Sequence, residues 1–295
     1  MTFISKSKVI EIKKNAMKRN KSFTDNKSLL YLVATPIGNL KEFSSRAIEI
    51  VSECDIVAAE DTRNAYDLLN RFGIKKEMYS LREHNEKEAS QHLIDLIKNG
   101  KKVAYMSDAG YPGISDPGNL LVKELITNDI AVSTISGSCA FVNALVASGL
   151  SSKHFYFFGF LSSKDNEAKE EVDGLKDYRD TLIFYEAPHR ILRTLSLLKE
   201  GLGNREACLA RELTKLNEEY IRGTLEELST LQEDSLKGEM VIIVDGNKEQ
   251  TIINDEEIMS RVAYFTKLGL SQKDAINVVS EELKINKNYI KKLLF

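Results

Sequence analysis

The chain has 295 residues, of which 42% are apolar and 29% are charged, and its formal net charge is −3. The length allows two domains of ordinary size, and the near-neutral charge excludes an overall field that would favour nucleic acids. No run of about 18 apolar residues occurs, which excludes a membrane-spanning helix. Cys54, Cys139 and Cys208 lack metal-ligand spacing, so we expect reduced thiols, no metal and a cytoplasmic protein.

Residues 1–27 form a basic N-terminal arm, in which eight lysines and arginines stand against Glu11 and Asp25. Such a charge run is either a solvated, disordered tail or an arm that contacts phosphates. The sequence leaves both interpretations open.

Residues 28–147 alternate between short apolar strands and amphipathic helices, which predicts an N-terminal α/β domain. The predicted strands are Leu29–Thr35, Asp55–Ala59, residues 102–106 and Ile130–Ile135. Four helices are predicted between these strands. The first begins near Ser44 or Ser45, the second contains Ala65 to Phe72, the third ends at Gly100 and the fourth begins at Asn119. Strands separated by helices of this length indicate βαβ units and a largely parallel sheet.

A linker of small residues, Ser148–Lys153, opens a second predicted α/β domain over residues 148–247. Its predicted strands are Phe155–Phe160, Thr181–Tyr185, Ala207–Ala210 and Met240–Asp245. Residues 164–180 are rich in charge and are predicted to form an exposed helix.

Residues 255–295 show the pattern of two or three short helices, with Gly269 at a turn and Ser271 as a helix N-cap. The arrangement is typical of a helix–turn–helix unit. About forty residues bury little core by themselves. We therefore expect this C-terminal helical domain to dock on the body of the protein or to bind a partner.

The most informative segment is the loop at residues 107–118, which holds two of the four prolines and three of the sixteen glycines. It follows a predicted strand, and open α/β sheets bind ligands at such strand ends. Glycine allows close approach of the backbone, and a polar ligand can satisfy the N–H and C=O groups of irregular backbone. The alternative is a rigid connection without a ligand, although twelve residues exceed the usual length of such loops.

Other polar clusters lie at or near the ends of predicted strands and favour a shared site at the sheet edge. They are Thr35–Asn39, Glu60–Arg63, Arg82–Asn85, Ser136–Ser138, Tyr185–Arg190 and Arg211–Lys215. Simpler explanations stay open: Glu60, Asp61 and Arg63 can form an ion pair and helix cap, His84 can lie on a surface loop, and His189 can cap a helix. The loop carboxylates can bind Mg²⁺, but they lack a compact D-x-D spacing.

Familiar nucleotide-binding and hydrolase motifs are absent: the chain has no G-x-G-x-x-G, no P-loop and no G-x-S-x-G. Five blocks carry a family resemblance instead: Leu32–Leu40, Ala58–Arg63, Glu83–Asn85, Ser107–Gly118 and Tyr185–Arg190. They resemble the bacterial small-subunit ribosomal RNA 2′-O-ribose cytidine methyltransferases, which belong to the tetrapyrrole methylase (class III) family. The resemblance runs from about residue 20 to the C-terminus.

This resemblance implies two α/β domains with the methyl donor, S-adenosylmethionine, in the cleft between them. It also implies a homodimer that acts on 16S rRNA in the small ribosomal subunit. The donor contacts implied by position are Pro36, Gly38, Asp108, Ala109, Gly110, Ile114, Ser115, Gly137, Cys139, Ala140, Tyr185, Glu186, Ala210, Gly238, Glu239 and Met240. Where the family usually has Pro-Gly-Pro, this chain has Ser136-Gly137-Ser138, so we expect a looser turn and weaker donor binding or a shifted loop.

The resemblance implies that the Glu60–Arg63 and Glu83–Asn85 blocks are specific to the ribosomal RNA branch, which assigns them to the RNA substrate or to catalysis. A ribose hydroxyl is a weak acid, so a nearby base or polarising cation would help to remove its proton. The catalytic candidates are Glu60, Asp61, Glu83, His84 and Glu186. The substrate-binding candidates are Arg63, Asn85, His189, Arg190 and Arg211, among which the arginines can grip phosphates.

Two rival functions remain. A methyltransferase of the same fold can act on a tetrapyrrole or on a protein, although the Glu60–Arg63 and Tyr185–Arg190 blocks argue against this. A non-catalytic RNA- or ribosome-binding module would bind RNA without affinity for the donor.

Overall fold

The computed structural model divides into the units Met1–Asn247 and Lys248–Phe295. The residues that it describes are 19, 21, 29–232, 236–248, 254–283 and 285–294. The predicted basic arm, residues 1–27, therefore lies outside the described residues except at Arg19 and Lys21.

The first unit begins with a parallel five-stranded sheet. Its strands are β1 Leu29–Val33, β2 Ile56–Ala59, β3 Glu77–Ser80, β4 Val103–Met106 and β5 Ala131–Ile135. Helices between them are α1 Ser45–Glu53, α2 Thr62–Arg71, α3 Glu86–Lys98 and α4 Asn119–Thr127. The strand order is β3-β2-β4-β1-β5, and every residue of β2 and β4 is buried. All five carboxyl ends therefore meet at one edge, as predicted from the alternating pattern.

Two elements of this region were not predicted from the sequence. Strand β3 lies at the sheet edge and is only half-buried, so its sequence carries no apolar run. Helix α5, Ala140–Ser148, follows β5. It is apolar along most of its length, which hides the helical periodicity.

The second sheet is mixed. Its strands are β6 Phe155–Phe160, β7 Thr181–Glu186, β8 Glu206–Arg211, β9 Glu219–Thr224 and β10 Met240–Val244. They run in the order β6-β7-β10-β8-β9, and only the β6–β7 pairing is parallel. Helices α6 Asp165–Asp173, α7 Ile191–Leu202 and α8 Leu225–Leu228 accompany this sheet. Strand β9 was not predicted, and α6 is shorter than the predicted 164–180 helix, with Ala168 and Val172 buried.

The antiparallel pairings of β10 bring three strand ends together. Met240, the first residue of β10, lies opposite Glu186 of β7 on one side and Arg211 of β8 on the other. The loops that follow β7 and β8 therefore share one edge of the second sheet with the segment that precedes β10.

The C-terminal unit contains α9 Asp255–Lys267, α10 Gln272–Leu283 and α11 Lys287–Leu294. Its buried core is formed by Ile258, Val262, Ala275, Ile276, Val279 and Ile290. Gly269 has a φ of +96° at the turn, and the Ser271 hydroxyl accepts from the N–H of Asp274 at 3.2 Å. The predicted turn and cap are therefore confirmed. Of the helices in the described part of the chain, none is long and apolar enough to cross a membrane.

Candidate functional site

Two loops at the carboxyl edge of the first sheet are joined by hydrogen bonds. The N–H of Thr35, after β1, donates to the carbonyl of Gly110 at 2.8 Å, and the N–H of Gly110 donates back at 3.2 Å. The Thr35 hydroxyl donates to the carbonyl of Ser107 at 3.2 Å. Gly110 has a φ of +81°, a left-handed conformation that favours glycine. The start of the predicted ligand loop is thereby fixed against the segment that follows β1.

The far end of the same loop is fixed by Glu86, at the start of α3. One oxygen of its carboxylate accepts from the N–H groups of Gly118, Leu120 and Leu121 at 2.9, 3.0 and 3.3 Å. These are otherwise orphaned donors at the start of α4. The Tyr105 hydroxyl also donates to the carbonyl of Pro117 at 2.9 Å. Both ends of the 107–118 loop are therefore fixed, and its middle residues form one wall of a cavity.

That wall borders a cavity of about 310 Å³ between the two sheets. Nine of the predicted donor contacts line it: Ala109, Gly110, Ile114, Cys139, Ala140, Tyr185, Glu186, Glu239 and Met240. Seven further lining residues were not predicted: Ile37, Tyr111, Phe160, Ala187, Pro188, Leu213 and Val241. Most of these are apolar residues next to a predicted one, so they could have been found by extending each strand-end block by a residue or two.

A second cavity of about 280 Å³ lies on the other side of the joined loops. It is lined by three other predicted donor contacts, Pro36, Gly38 and Asp108, together with residues of α2 such as Asn64 and Arg71. Ile37 faces the first cavity while its two neighbours face the second. The predicted contacts Ser115, Gly137, Ala210 and Gly238 belong to neither lining.

The loop that follows β8 closes against the loop that follows β1. The side chain of Lys215 lies over Gly38, where a Cβ would come within 2.6 Å of its Cγ. Its ammonium pairs with Glu212 at 3.0 Å and with Glu239 at 3.5 Å. A Cβ on Gly238 would lie only 1.9 Å from the Glu212 carboxylate. Gly38 thus allows the loops after β1 and β8 to pack closely, and Gly238 leaves room for the Glu212 side chain. Lys215 belongs to the Arg211–Lys215 cluster but was not among the predicted site residues.

The Glu186 carboxylate, predicted as a catalytic group, is fully buried and engaged. It accepts from the Thr194 hydroxyl at 2.6 Å and from the N–H of Ala187 at 2.8 Å. The Arg190 guanidinium pairs with it at 3.3 Å and donates to the carbonyl of Leu161 at 2.8 Å. These contacts hold the loop after β7 to the end of β6. The guanidinium of Arg190, predicted to contact phosphate, is therefore already paired within the protein.

Two other predicted substrate contacts differ in their surroundings. The Arg211 side chain is 18% exposed and pairs with Glu219 at 2.5 Å. His189 lies exposed on a short 3-10 helix, Pro188–Arg190. Only His189 of these two presents a side chain that is open to solvent.

Asp61 and Arg63 lie at the start of α2, where Asp108 of the 107–118 loop also binds. Arg63 donates to Asp61 through its backbone N–H at 2.9 Å and through Nε at 3.0 Å. Asp108 accepts from the N–H of Asp61 at 3.2 Å and from the Asn64 amide at 2.8 Å. The hydrogen bonds from Arg63 hold the pKa of Asp61 well below its usual range. The cap and ion pair considered from the sequence are therefore present, and the Arg63 side chain is still 82% exposed.

Comparison with known proteins agrees with this arrangement of strand-end loops. A model of the family described as Tetrapyrrole (Corrin/Porphyrin) Methylases matches residues 29–229. The chain belongs to the tetrapyrrole methylase family. Ribosomal RNA small subunit methyltransferase I of Halalkalibacterium halodurans is 43% identical over 284 residues, which cover 93% of this chain and 98% of that protein. The Bacillus subtilis protein of the same name is 38% identical over 283 residues, covering 93% and 97%.

Solved structures confirm the predicted fold class. The crystal structure of diphthine synthase matches with a TM-score of 0.57 at 14% identity, and the match covers 74% of this chain and 89% of that one. At this identity the likeness shows the fold alone.

In this tetrapyrrole methylase, further carboxylates gather near the ends of β2 and β4. Burial, followed by the nearby charge of Asp108, raises the pKa of Glu60. Burial, followed by the charge of Glu60, raises the pKa of Asp116 to about 6. A raised pKa brings a carboxylate closer to the range in which it exchanges protons at neutral pH. Asp116 lies in the 107–118 loop and was not among the predicted catalytic residues.

The predicted residues Glu83, His84 and Asn85 form a separate 3-10 helix. The Asn85 side chain accepts from the N–H of Arg82 at 2.7 Å and donates to the carbonyl of Ser80 at 3.2 Å. Glu83 and His84 are exposed, and His84 and Asn85 line a groove with residues of α3. The structure therefore places this block outside the linings of both cavities. In the described ranges, no group of three or more His, Cys, Asp or Glu side chains is arranged to hold a metal.

Proposed function

We propose that this tetrapyrrole methylase transfers a methyl group from S-adenosylmethionine to the ribose 2′-hydroxyl of a cytidine in 16S rRNA. The observation that carries the proposal is the 310 Å³ cavity, because nine donor contacts inferred from the sequence converge on it from both sheets. The names of the relatives, ribosomal RNA small subunit methyltransferase I, support the choice of substrate.

The first cavity suits the donor in size and chemistry. Its volume falls at the lower end of the roughly 300–1,000 Å³ found for small-molecule sites. At Gly110, an added Cβ would lie 3.6 Å from the Ile37 side chain and 3.7 Å from the Ser138 carbonyl, so the glycine leaves a cradle that any side chain would fill. The cavity also includes Cys139 and Ala140 at the start of α5, where the N–H of Phe141 donates to the Tyr185 hydroxyl at 3.3 Å. The N-terminus of a helix suits a polar ligand.

When bound, S-adenosylmethionine supplies an electrophilic methyl group. The chain must then hold the ribose hydroxyl in line and accept its proton. We assign proton acceptance to Glu60, because Asp61 is held by Arg63 and Glu186 is held by Thr194 and Arg190. The raised pKa of Glu60 fits this role.

On the RNA side, we assign phosphate contact to Arg63 and secondary contact to His189, whose side chains are open to solvent. The proposal gives Arg190 and Arg211 structural roles, since their guanidinium groups pair inside the fold. Asn85 shapes the turn that presents His84.

We further propose a cytoplasmic homodimer. Val142 and Val146 lie on one face of α5 and are 41% and 69% exposed, and Phe155 of β6 is 44% exposed. Strand β6 is an edge strand, and an exposed apolar edge favours association with another chain. A second copy of this chain is the partner implied by the family resemblance. Light scattering on the protein and on Val146→Asp tests this: the variant should be monomeric.

The proposed activity is tested by incubating the protein and labelled S-adenosylmethionine with purified small ribosomal subunits. Nuclease digestion and mass spectrometry should then find 2′-O-methylcytidine in 16S rRNA. Donor binding without transfer to RNA would favour an acceptor of another class, such as a protein or a tetrapyrrole. RNA binding without any donor binding would favour the non-catalytic module.

A further inference from the structure

The turn Ser136-Gly137-Ser138, between β5 and α5, is tied to two other loops. The Ser138 hydroxyl donates to the Glu42 carboxylate at 2.6 Å. The Ser44 hydroxyl donates to the carbonyl of Ser136 at 3.4 Å, and the N–H of Gly137 donates to the Tyr111 hydroxyl at 3.1 Å. The turn has no proline ring to lock φ, so these contacts must supply its rigidity.

The loops that are tied together are the walls of the first cavity. Glu42 belongs to the segment after β1 that includes Ile37, and Ile37 lines the cavity. Tyr111 lines it from the loop after β4. Ser138 directly precedes Cys139 and Ala140, which line it at the start of α5. The Ser138–Glu42 hydrogen bond thus spans the two segments that follow β1 and β5.

The bond between these two side chains is also the shortest of the three ties and joins a hydroxyl to a carboxylate. Hydrogen bonds to an ionised group are about twice as strong as neutral ones. Both residues are half-buried, so water competes with the bond only in part. Of the three ties, this one therefore contributes most to holding the turn.

We propose that Ser138 and Glu42 act as a pair of positioning residues for the donor. Their hydrogen bond sets the start of α5 against the segment after β1, so that Cys139 and Ala140 keep their place in the cavity wall. The inference rests on the proposed function, in which the donor occupies this cavity.

The test is calorimetric titration of the full chain with S-adenosylmethionine. Ser138→Ala and Glu42→Ala should each weaken donor binding about three- to tenfold, the loss expected for a hydrogen bond that acts through positioning. The double variant should bind no more weakly than either single variant, because the two residues act through one bond. Ser138→Thr, which keeps the hydroxyl, should bind within about twofold of the unaltered chain. Glu42→Gln keeps an acceptor but loses the charge, so its donor affinity should lie between those of the unaltered chain and Glu42→Ala.

Ser136→Ala is the matched control, because it removes a serine hydroxyl only two residues from Ser138. Ser136 is exposed and lies outside the cavity lining. Its donor affinity should be unchanged. Thermal unfolding of every variant separates positioning from a purely structural role, in which melting temperature would fall while donor affinity stayed constant. That result, or additive effects in the double variant, would overturn the inference and leave the proposed function standing. An unaltered chain that does not bind the donor would overturn both.

Discussion

The joined loops at residues 35–38 and 107–110 separate two regions, the first cavity and the edge around α2, whose side chains differ in polarity. The first cavity is walled mainly by apolar side chains and by backbone at Gly110, Cys139 and Ala140. The edge around α2 is charged, with Glu60, Asp61 and Arg63 following β2. One side therefore depends on shape, and the other depends on which charges are already paired. Under the proposed function, the first side binds the donor and the second side serves proton transfer and RNA contact.

The largest effect expected is that of Gly110→Val on donor binding. Gly110 has a φ of +81°, and an added side chain would fill the cradle between Ile37 and Ser138. We expect the donor affinity to fall by more than about a hundredfold, since the backbone strain and the blocked volume act together. Calorimetry measures the effect.

Gly100 provides the control for this substitution. It has a similar φ of +86°, but a Cβ there would meet nothing within 4 Å. Gly100→Val should therefore lose stability without losing donor affinity. Equal donor affinities in the two variants would break the claim that the first cavity depends on shape at Gly110.

The next effect is that of Glu60→Gln on the rate of methyl transfer. A general base contributes roughly 10²- to 10⁴-fold, so single-turnover transfer to small subunits should slow by about a hundredfold or more. Donor affinity should be retained because Glu60 does not line the first cavity. Asp61→Asn is the control, and it should slow transfer much less if Asp61 only pairs with Arg63. A Glu60→Gln variant with the original rate would remove Glu60 from the reaction.

Arg63→Ala should have a smaller effect, confined to RNA. Its exposed guanidinium can contact a phosphate, and losing one such contact should raise the KM for subunits about five- to tenfold. Donor binding should not change. Arg193→Ala, which removes an arginine paired with Asp165 on the second sheet's helices, serves as the control. A raised KM in both variants would indicate a loss of general charge.

The smallest effect expected concerns the pH dependence of stability at Asp116. Its pKa is raised to about 6 in the folded protein, compared with about 3.9 for an unfolded aspartate. The folded state therefore binds the extra proton between these values, so the cost of ionising Asp116 is complete above pH 6 and disappears below about pH 4. Asp116→Asn should raise the free energy of unfolding by about 1 kcal/mol at pH 7.5.

Denaturant unfolding across this pH range measures the difference, which should shrink steadily from pH 6 to pH 4. A constant difference between Asp116→Asn and the unaltered chain would show that its ionisation is not coupled to folding.

The sequence predicted the parallel sheet because its strands and helices follow local patterns. The strand-end blocks, such as Thr35–Asn39 and the 107–118 loop, could be recognised in the sequence as irregular backbone. Proline fixes φ there, and glycine permits conformations that other residues avoid. The tie from Glu86 to the start of α4 could not be predicted, because it joins residues more than thirty positions apart through one carboxylate. No local pattern records such a contact.

The charged edge was harder to predict for the same reason. From the sequence, Glu60, Asp61, Glu83, His84 and Glu186 were equivalent candidates for the base. Their surroundings distinguish them: Thr194 and Arg190 hold Glu186, and Arg63 holds Asp61. Glu83 and His84 are exposed on a separate 3-10 helix, whereas Glu60 is half-buried. Pairing depends on tertiary contacts, so residue type alone could not rank them.

The central claim is that the donor occupies the cavity between the two sheets. The most direct measurement is a crystal structure of the protein with S-adenosylhomocysteine, the demethylated donor. The account predicts the ligand between the Gly110 backbone and Met240, beside Cys139 and Ala140. A ligand in the second cavity, against Asn64 and Arg71, would contradict it.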